Sequence, residues 1–326
     1  MRNLIAICVF ALVLLPLPLV LQSEFWLTWV ILALFYAFLG QAWNLLGGYG
    51  GQFSFGHALF FGTGAYCTAV LQVRFGINAW AGFGLAAVAA GFVGAGTGWL
   101  VFRYGLRGSY FALVTLAFAE VFRILANTFE FTGAGVGMLV PLQPGFAQMQ
   151  FESKAGFFWL LLFLVSASLL FSWWLENARF GARLMAVREN EDAARALGVD
   201  PFRTKLLAII ASGAFSGIGG AVYVQLFLYI DPNIAYGSAM SVEALLVPII
   251  GGLGTIFGPV LGAFALHGFA EIGRLVFGEA PGLNLVLYGV LLVLIVLFLP
   301  NGLFGLGKVK FGNGMLRRLF KRGAHA

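Results

Sequence analysis

The chain has 326 residues, of which 61 % are hydrophobic and only 10 % are charged, and its formal net charge is +6. Soluble domains carry about 25 % charged residues, so this composition excludes an ordinary soluble protein and indicates an integral membrane protein. The basic excess predicts contact with anionic lipid headgroups and requires no nucleic acid partner.

Apolar runs long enough to cross a bilayer, about 20 residues each, recur along the whole chain. They predict an all-α, polytopic membrane protein with about ten transmembrane helices. Residues 1–300 are therefore expected to form a single transmembrane domain, and residues 301–326 a basic tail. The predicted spans are residues 4–21, 25–46, 54–73, 79–102, 108–128, 156–175, 206–230, 234–252, 256–277 and 283–300.

The span predicted at residues 234–252 is the least regular, because Glu243 lies in its middle and small polar residues dilute its first half. A re-entrant half-helix is the alternative to a full crossing. We prefer a crossing, because otherwise the basic tail would lie on the outer side. If a helix begins at Ser241, this serine can cap it, and Glu243 then lies in the favourable first turn.

The basic residues sort to one side of the membrane when the spans are followed from a cytoplasmic N-terminus. Only Arg74 and Lys154 fall in clear outer loops. This asymmetry follows the positive-inside rule and predicts that both termini are cytoplasmic. The cytoplasmic set is Arg2, Arg103, Arg107, six bases in residues 176–205 and six in the basic tail.

Residues 176–205, the charged loop, hold six basic and five acidic residues in a chain that otherwise carries few charges. Asn190 can cap a short helix, and Gly198 can end it in a left-handed conformation. The acids Glu191 and Asp192 suit its first turn. A helix of about two turns is marginal in water, so we expect it to pack against the membrane domain or a partner. The alternative is a solvated loop that only sets the topology.

Two glycine clusters, residues 47–51 and 251–254, interrupt apolar runs in the first and second halves of the chain. Broken helices in corresponding positions often mark transport sites, because freed backbone groups can face a polar pathway. We therefore predict a translocation path or gate near these clusters. Its candidate residues are Gly50, Gln52, His57, Glu243, Gly251 and Gly254.

Other small or charged residues within the spans are interpreted as structural. Glycines spaced four apart allow close helix packing in lipid, where the hydrophobic drive between helices is weak. Acid–base pairs three residues apart on one helix can neutralise each other locally. The glycine pairs are Gly94 with Gly98 and Gly213 with Gly217, and the charged pairs are Glu120 with Arg123 and Glu271 with Arg274.

No catalytic pattern is present in the sequence. The chain lacks a G-x-x-x-x-G-K-[ST] phosphate loop, a nucleophile elbow and the paired acids of a hydrolase. Its three histidines are not accompanied by spaced carboxylates or cysteines, so they do not predict a metal centre. The chain is therefore predicted to be no enzyme and to bind no cofactor itself, with energy supplied by a partner or an ion gradient.

Several sequence blocks resemble the permease subunits of branched-chain amino acid ABC importers of the LivM type. In the charged loop the block is AVRENEDAARALGVD, which begins at Ala186. Further blocks are WNLLGGYGGQFSFGHALFFGTGAY from Trp43, RGSYFALVTLAFAEVFRILAN from Arg107, SVEALLVPIIGGLGTIFGPVLGA from Ser241 and YGVLLVLIVLFLPNGLFG from Tyr288. Related permeases for urea and short amides share much of this pattern.

The resemblance implies a large, vitamin-importer-like (type II) permease in the bacterial cytoplasmic (inner) membrane. It implies a second homologous permease subunit, two cytoplasmic ATPase subunits that bind ATP and Mg, and a periplasmic substrate-binding protein. The charged loop would then couple to the ATPases through Arg188, Glu189, Asn190, Glu191, Asp192, Arg195, Leu197 and Gly198. The alternatives are an ABC permease for urea or short amides and, in a different class, an ion-coupled secondary transporter.

Overall fold

A computed structural model describes residues 2–21, 23–277, 286, 289–290, 293 and 302–306 of the chain. This part is almost wholly helical, which confirms the all-α prediction. The helices are α1 (Arg2–Leu14), α2 (Leu17–Val20), α3 (Glu24–Asn44), α4 (Ala58–Phe75), α5 (Ala79–Arg103), α6 (Ser109–Thr128), α7 (Lys154–Asn177), α8 (Arg179–Glu189), α9 (Glu191–Ala196), α10 (Pro201–Phe227), α11 (Pro232–Tyr236), α12 (Ser238–Gly251) and α13 (Gly258–Phe277).

The described part also contains shorter elements. Leu45–Tyr49 extends α3 as a π-helical turn, and Gly302–Leu306 forms a short helix. Two short strands, β1 (Met138–Leu139) and β2 (Tyr229–Ile230), pair antiparallel with Met138 opposite Ile230. The pair ties the segment between α6 and α7 to the chain that follows α10.

Seven helical segments of the described part are long and apolar enough to cross a bilayer. They coincide with predicted spans, and α4 and α13 lie where two more spans are expected. The span predicted at residues 283–300 and most of the basic tail at residues 301–326 lie outside the described residues. The structure and the predicted topology are therefore compatible over the part that can be compared.

The first predicted span, residues 4–21, is interrupted. Helix α1 ends at Leu14, and α2 begins at Leu17 after Pro16. Proline lacks the N–H group that continues a helical ladder, and its ring clashes with the preceding turn. The apolar pattern correctly located this segment, but its prolines divide the helix.

The span predicted at residues 234–252 is also not one continuous helix, because α11 and α12 are separated at Gly237. Helices α12 and α3 nevertheless run in the same direction: Glu243 bonds to Tyr36 near one end, and Gly254 bonds to Asn44 near the other. The helical segment Pro232–Gly251 is also long and apolar enough to cross a bilayer. The structure is therefore compatible with a full crossing of this segment.

The expected cap at Ser241 is wrong. Helix α12 begins three residues earlier, at Ser238, so Glu243 does not lie in its first turn. The Ser241 hydroxyl instead accepts a hydrogen bond of 2.8 Å from the backbone N–H of Ala58, at the start of α4. The serine thus satisfies a free N–H group of a different helix, a pairing that local sequence cannot show.

Two faces of the molecule are named by what they carry. Helix α10 begins beside α9 and, over 27 residues, spans about 40 Å before it reaches β2. We call the end with α8 and α9 the loop face and the end with β1 and β2 the strand face. The candidate site residues discussed below are described by their position relative to these two faces.

Helices α5 and α10 pack closely through their glycines, which confirms the predicted packing role of these residues and identifies the two helices as partners. A Cβ atom added to Gly217 would lie 2.5 Å from the Cβ of Ala90 and 2.7 Å from the carbonyl oxygen of Ala86. On the other helix, a Cβ on Gly98 would lie 2.5 Å from a side-chain carbon of Ile209. Small residues thus bring the two backbones together where lipid supplies little hydrophobic drive.

We expect Gly217→Ala to lower the free energy of unfolding by about 1–3 kcal/mol, because the added methyl group overpacks the α5–α10 contact. The matched control is Gly96→Ala on α5, where an added Cβ meets nothing within 4 Å. That variant should be neutral or stabilising by up to about 1 kcal/mol, through helix propensity. Thermal unfolding in detergent measures both, and equal midpoints for the two variants would contradict the packing argument.

Candidate functional site

The two glycine clusters lie against each other at the loop face. The Asn44 side chain joins them: its Oδ1 accepts from the N–H of Gly254 at 2.8 Å, and its Nδ2 donates to the carbonyl of Thr255 at 3.1 Å. A Cβ on Gly48 would lie 2.6 Å from the Gly254 nitrogen. We call residues 47–51 and 251–254 together the glycine junction. Neither cluster accepts a larger side chain at this contact without displacing backbone.

The first cluster is less of an interruption than the sequence indicated. Helix α3 continues as a π-helical turn to Tyr49, and the helix stops only at Gly50. Such turns widen a helix locally and are frequent at functional sites. Gln52 follows the break, and its side-chain amide donates to the carbonyl of Gly50 at 3.3 Å.

The charged loop contains the predicted helix and one more. Asn190 caps α9, because its side chain accepts from the backbone N–H groups of Asp192 and Ala193, both at 3.0 Å. Gly198 follows the helix with φ +82°, in the left-handed region. Both helix signals are thereby confirmed. The preceding helix α8 was not predicted, and its buried Leu184 packs in one apolar cluster with Tyr49.

Arg188, at the end of α8, contacts the glycine junction directly. Its Nη1 donates to the carbonyl of Gly48 at 2.8 Å and would lie 3.2 Å from a Cβ on Gly254. A second link comes from Tyr49, whose hydroxyl donates to the Glu176 carboxylate at 3.0 Å. The charged loop is therefore bonded to the junction at two places.

Helix α9 is held by a buried ion-pair cluster. Glu191 pairs with Arg107 at 2.5 Å and with Lys205, a buried residue near the start of α10. Only 10 % of the Glu191 side chain is exposed, and the Lys205 ammonium lies 4.9 Å from the centre of the Phe102 ring. This anchor supplies the packing that the sequence predicted for so short a helix.

The outer surface of α9 has a different character. Leu197 is 83 % exposed, and its neighbours Asp192 and Arg195 also face outward, joined only by a 3.6 Å ion pair. Glu189 is exposed as well and pairs with Arg188 at 2.8 Å. The structure thus divides the predicted coupling residues into an inward anchor, Glu191, and an exposed set with one apolar side chain among charges.

His57 lies in the protein interior. Its Nε2 is 3.0 Å from the hydroxyl of Ser212, which donates to the carbonyl of Ala42 at 2.7 Å. The ring therefore links the start of α4 to α10 and α3. Gly251, at the end of α12, packs against Gly258, where an added Cβ would collide with backbone. Both positions are tightly packed.

Glu243 lies apart from the other candidates, toward the strand face. Eight residues separate it from Gly251, which is about 12 Å along α12. Its carboxyl group is hydrogen-bonded to Tyr36 of α3 and borders a cavity of about 390 Å³. The predicted path residues therefore occupy two regions of the molecule, joined by α12.

The charged pairs within the helices are confirmed. Arg123 bonds to Glu120 at 2.5 Å, and Arg274 bonds to Glu271 at 2.8 Å. Arg123 also donates to the side-chain oxygen of Asn233 at 2.8 Å. Within the described part of the chain, no three His, Cys, Asp or Glu side chains gather where they could hold a metal ion.

Sequence reasoning missed the partners of the predicted residues. Asn44, Arg107 and Lys205 act across long sequence separations, so no local spacing reveals them. One signal is present for Asn44, because a buried amide within an apolar run must find hydrogen-bond partners. For Glu191, the sequence shows only that basic residues lie next to the neighbouring spans. This does not identify Arg107 and Lys205 as its partners.

Comparison with known proteins identifies the family. Residues 25–296 match the profile described as branched-chain amino acid transport system, permease component. The LivM permease protein of the high-affinity branched-chain amino acid transport system of Escherichia coli K12 is 31 % identical over 312 residues, covering 87 % of this chain and 71 % of that protein. The corresponding LivH protein is 25 % identical over 298 residues, covering 84 % and 92 %. No solved structure matches the chain.

A shorter similarity reaches a different transport system. The autoinducer 2 import permease LsrC of Klebsiella pneumoniae is 35 % identical over 112 residues, which cover 33 % of this chain and 32 % of that protein. This match covers too little of either chain to argue for a shared substrate.

We expect Glu191→Gln to loosen α9, because it leaves Arg107 and Lys205 without their shared carboxylate. Breaking a buried ion pair costs about 3–5 kcal/mol, so amide hydrogen exchange in residues 191–197 should accelerate by roughly tenfold or more. Asp192→Asn is the matched control, because its carboxylate is exposed. Equal exchange in the two variants would show that the ion-pair cluster does not hold the helix.

Proposed function

Because this chain belongs to the family of branched-chain amino acid transport permeases, we propose that it is the membrane-spanning subunit of an ATP-driven importer for leucine, isoleucine and valine. The family match over residues 25–296 and the named system of the E. coli relatives support this substrate class. The observation that carries the mechanism is the bond between Arg188 and the Gly48 carbonyl, which connects the charged loop with the glycine junction.

The importer has four kinds of component in this proposal. This chain pairs with a second, homologous permease subunit, and two cytoplasmic ATPase subunits bind ATP and Mg. A periplasmic binding protein delivers the substrate. Similarity to both LivM and LivH of one E. coli system supports the pairing of two related permeases. The chain itself forms part of the transport path and leaves ATP hydrolysis to the partner subunits.

The loop face is cytoplasmic in this proposal. The charged loop, Arg103 and Arg107 lie there, whereas Arg74 and Lys154 belong to the strand face, as the positive-inside rule requires. Both termini are then cytoplasmic, in the inner membrane of a bacterium. Residues 1–300 form the transmembrane permease domain, and residues 301–326 are its basic tail.

The exposed surface of α9 is the dock for an ATPase subunit. Leu197 supplies an apolar anchor, and the acids Glu189 and Asp192 flank it. The matching groove on the ATPase subunit has an apolar pocket for Leu197 and a basic rim for the two acids. Apolar side chains buried at the centre of an interface usually carry most of its binding energy.

Motion of the dock reaches the membrane through two contacts. The Glu191 cluster makes α9 move with α10, and Arg188 moves the glycine junction through the Gly48 carbonyl. A change in ATPase spacing then repacks the two junction segments against each other, which opens or closes the path at the loop face. Gly50, Gln52, Gly251 and Gly254 are the gate in this proposal.

We expect Leu197→Asp to abolish co-purification of the ATPase subunits and amino acid uptake, because it places a carboxylate in the apolar centre of the dock. The thermal unfolding midpoint of the chain should not change, since the side chain is mostly exposed. Arg203→Ala, in the charged loop but outside α9, is the control and should retain both activities. Full uptake by Leu197→Asp with ATPases bound would exclude the dock.

We expect Arg188→Lys to separate hydrolysis from transport. A lysine keeps the charge but loses the planar guanidinium that bonds the Gly48 carbonyl, so ATPases should still bind and hydrolyse ATP. Uptake per ATP hydrolysed should fall by roughly tenfold, which corresponds to about 1.4 kcal/mol of lost coupling. Arg203→Lys should leave this ratio unchanged.

The energy source gives an independent check. Uptake should stop when the partner ATPase is removed and continue when a protonophore collapses the proton gradient. The opposite pattern would establish an ion-coupled secondary transporter and overturn the proposed function.

A further inference from the structure

A cavity of about 390 Å³ lies toward the strand face, beside the first turns of α12. None of the contacts between the charged loop and the glycine junction uses it. No basic side chain is among its lining residues. These are Tyr36, Asp231, Asn233, Ile234, Ala239, Met240 and Glu243.

Glu243 is the unusual member of this lining, because it lies at membrane depth. A carboxylate there is costly and marks a functional site unless a local base neutralises it. Two other acids within long helices, Glu120 and Glu271, each have an arginine three residues away, but the lining of this cavity offers Glu243 no such partner. A cationic ligand group is the complement that the cavity lacks.

The polar groups around the cavity are held in place by neighbouring helices. Tyr36, which bonds to Glu243, stacks on His267 of α13 with ring centres 4.4 Å apart. Asp231 caps α11 by accepting from the backbone N–H groups of Asn233 and Ile234, at 2.7 and 3.0 Å. The cavity is therefore lined by fixed side chains, which lowers the entropic cost of binding.

The remaining wall is apolar. Its lining residues are Ile234, Ala239 and Met240, whose apolar side chains contrast with the carboxyl group of Glu243. The volume is within the range of about 300–1,000 Å³ that is typical of small-molecule sites and is far larger than a bare inorganic ion requires. The lining holds two carboxylates, Asp231, which caps α11, and Glu243. Acidic groups beside an apolar wall suit a small molecule with an ammonium group and an apolar chain.

We propose that this cavity binds the substrate amino acid on its way through the membrane, with the ammonium group at Glu243 and the side chain against Ile234, Ala239 and Met240. The proposal rests on the proposed function for the identity of its ligand. Because the cavity and the glycine junction are at opposite ends of α12, the substrate is held on the strand-face side while the junction is closed.

The test uses the full chain carrying Ala239→Cys, purified in lipid nanodiscs with the partner subunits that it retains. A small neutral maleimide modifies the introduced thiol, and peptide mass spectrometry reads position 239 separately from Cys8 and Cys67. L-Leucine and isoamylamine, which carry an ammonium group and an apolar chain, should slow modification. Isocaproate, which keeps the chain and carboxylate but lacks the ammonium group, should not.

Glu243→Gln in the same background should raise the half-protecting concentration of L-leucine by roughly tenfold or more, because a hydrogen bond to a charged group is lost. Glu130→Gln is the matched control, an exposed carboxylate near the strand face and outside the cavity. Equal protection in the two variants would remove Glu243 from the site. If Glu243→Gln does not fold, the comparison of isoamylamine with isocaproate still decides between the outcomes.

Other outcomes are equally decisive. Protection by Na⁺ alone, or by isocaproate as well as by isoamylamine, would overturn the assignment of an ammonium site. Leucine uptake by the wild-type chain without any protection at position 239 would reject the cavity and leave the proposed function standing. Protection by isoamylamine in a chain that takes up no amino acid would support the cavity and reject the proposed function.

Discussion

Polar backbone groups freed by a broken helix must find partners inside the protein, because lipid offers none. The described part of the chain has two such breaks in contact at the loop face, and side chains supply partners to both. Asn44 bonds to both Gly254 and Thr255, and Arg188 bonds to the Gly48 carbonyl. The first partner belongs to the membrane helices and the second to the charged loop. A movement of the loop therefore changes the hydrogen bonding of the breaks themselves.

The positions of the helices were predictable because each span must be apolar over its own length. The short helix α9 was predictable for a different reason: its start and end depend on Asn190 and Gly198, which act within a few residues. Close helix packing at Gly217 and similar residues was also predicted, since they leave space for another helix, but the sequence did not identify α5 and α10 as partners. In each case the cause of the structure is local to the segment that shows it.

The contacts that build the candidate site were not predictable, because they join residues far apart in sequence. Glu191 was expected to face a partner, but it is buried with Arg107 and Lys205, and its helix presents Leu197 instead. Ser241 was expected to cap its own helix and in fact bonds to Ala58. A carboxylate or hydroxyl has the same local signature in either environment, so only the tertiary structure distinguishes them.

Helix α12 joins the two candidate regions, because Glu243 lies about 12 Å along it from Gly251, its last residue. Pro248 lies between them and cannot donate the backbone hydrogen bond that a helix interior requires. A helix is most easily bent where its ladder lacks a bond, so α12 can change its angle there without breaking further hydrogen bonds. In the proposed transport cycle, substrate at Glu243 and the glycine junction contacted by Arg188 lie on opposite sides of Pro248. Substrate binding toward the strand face would then bias the junction through the angle of α12.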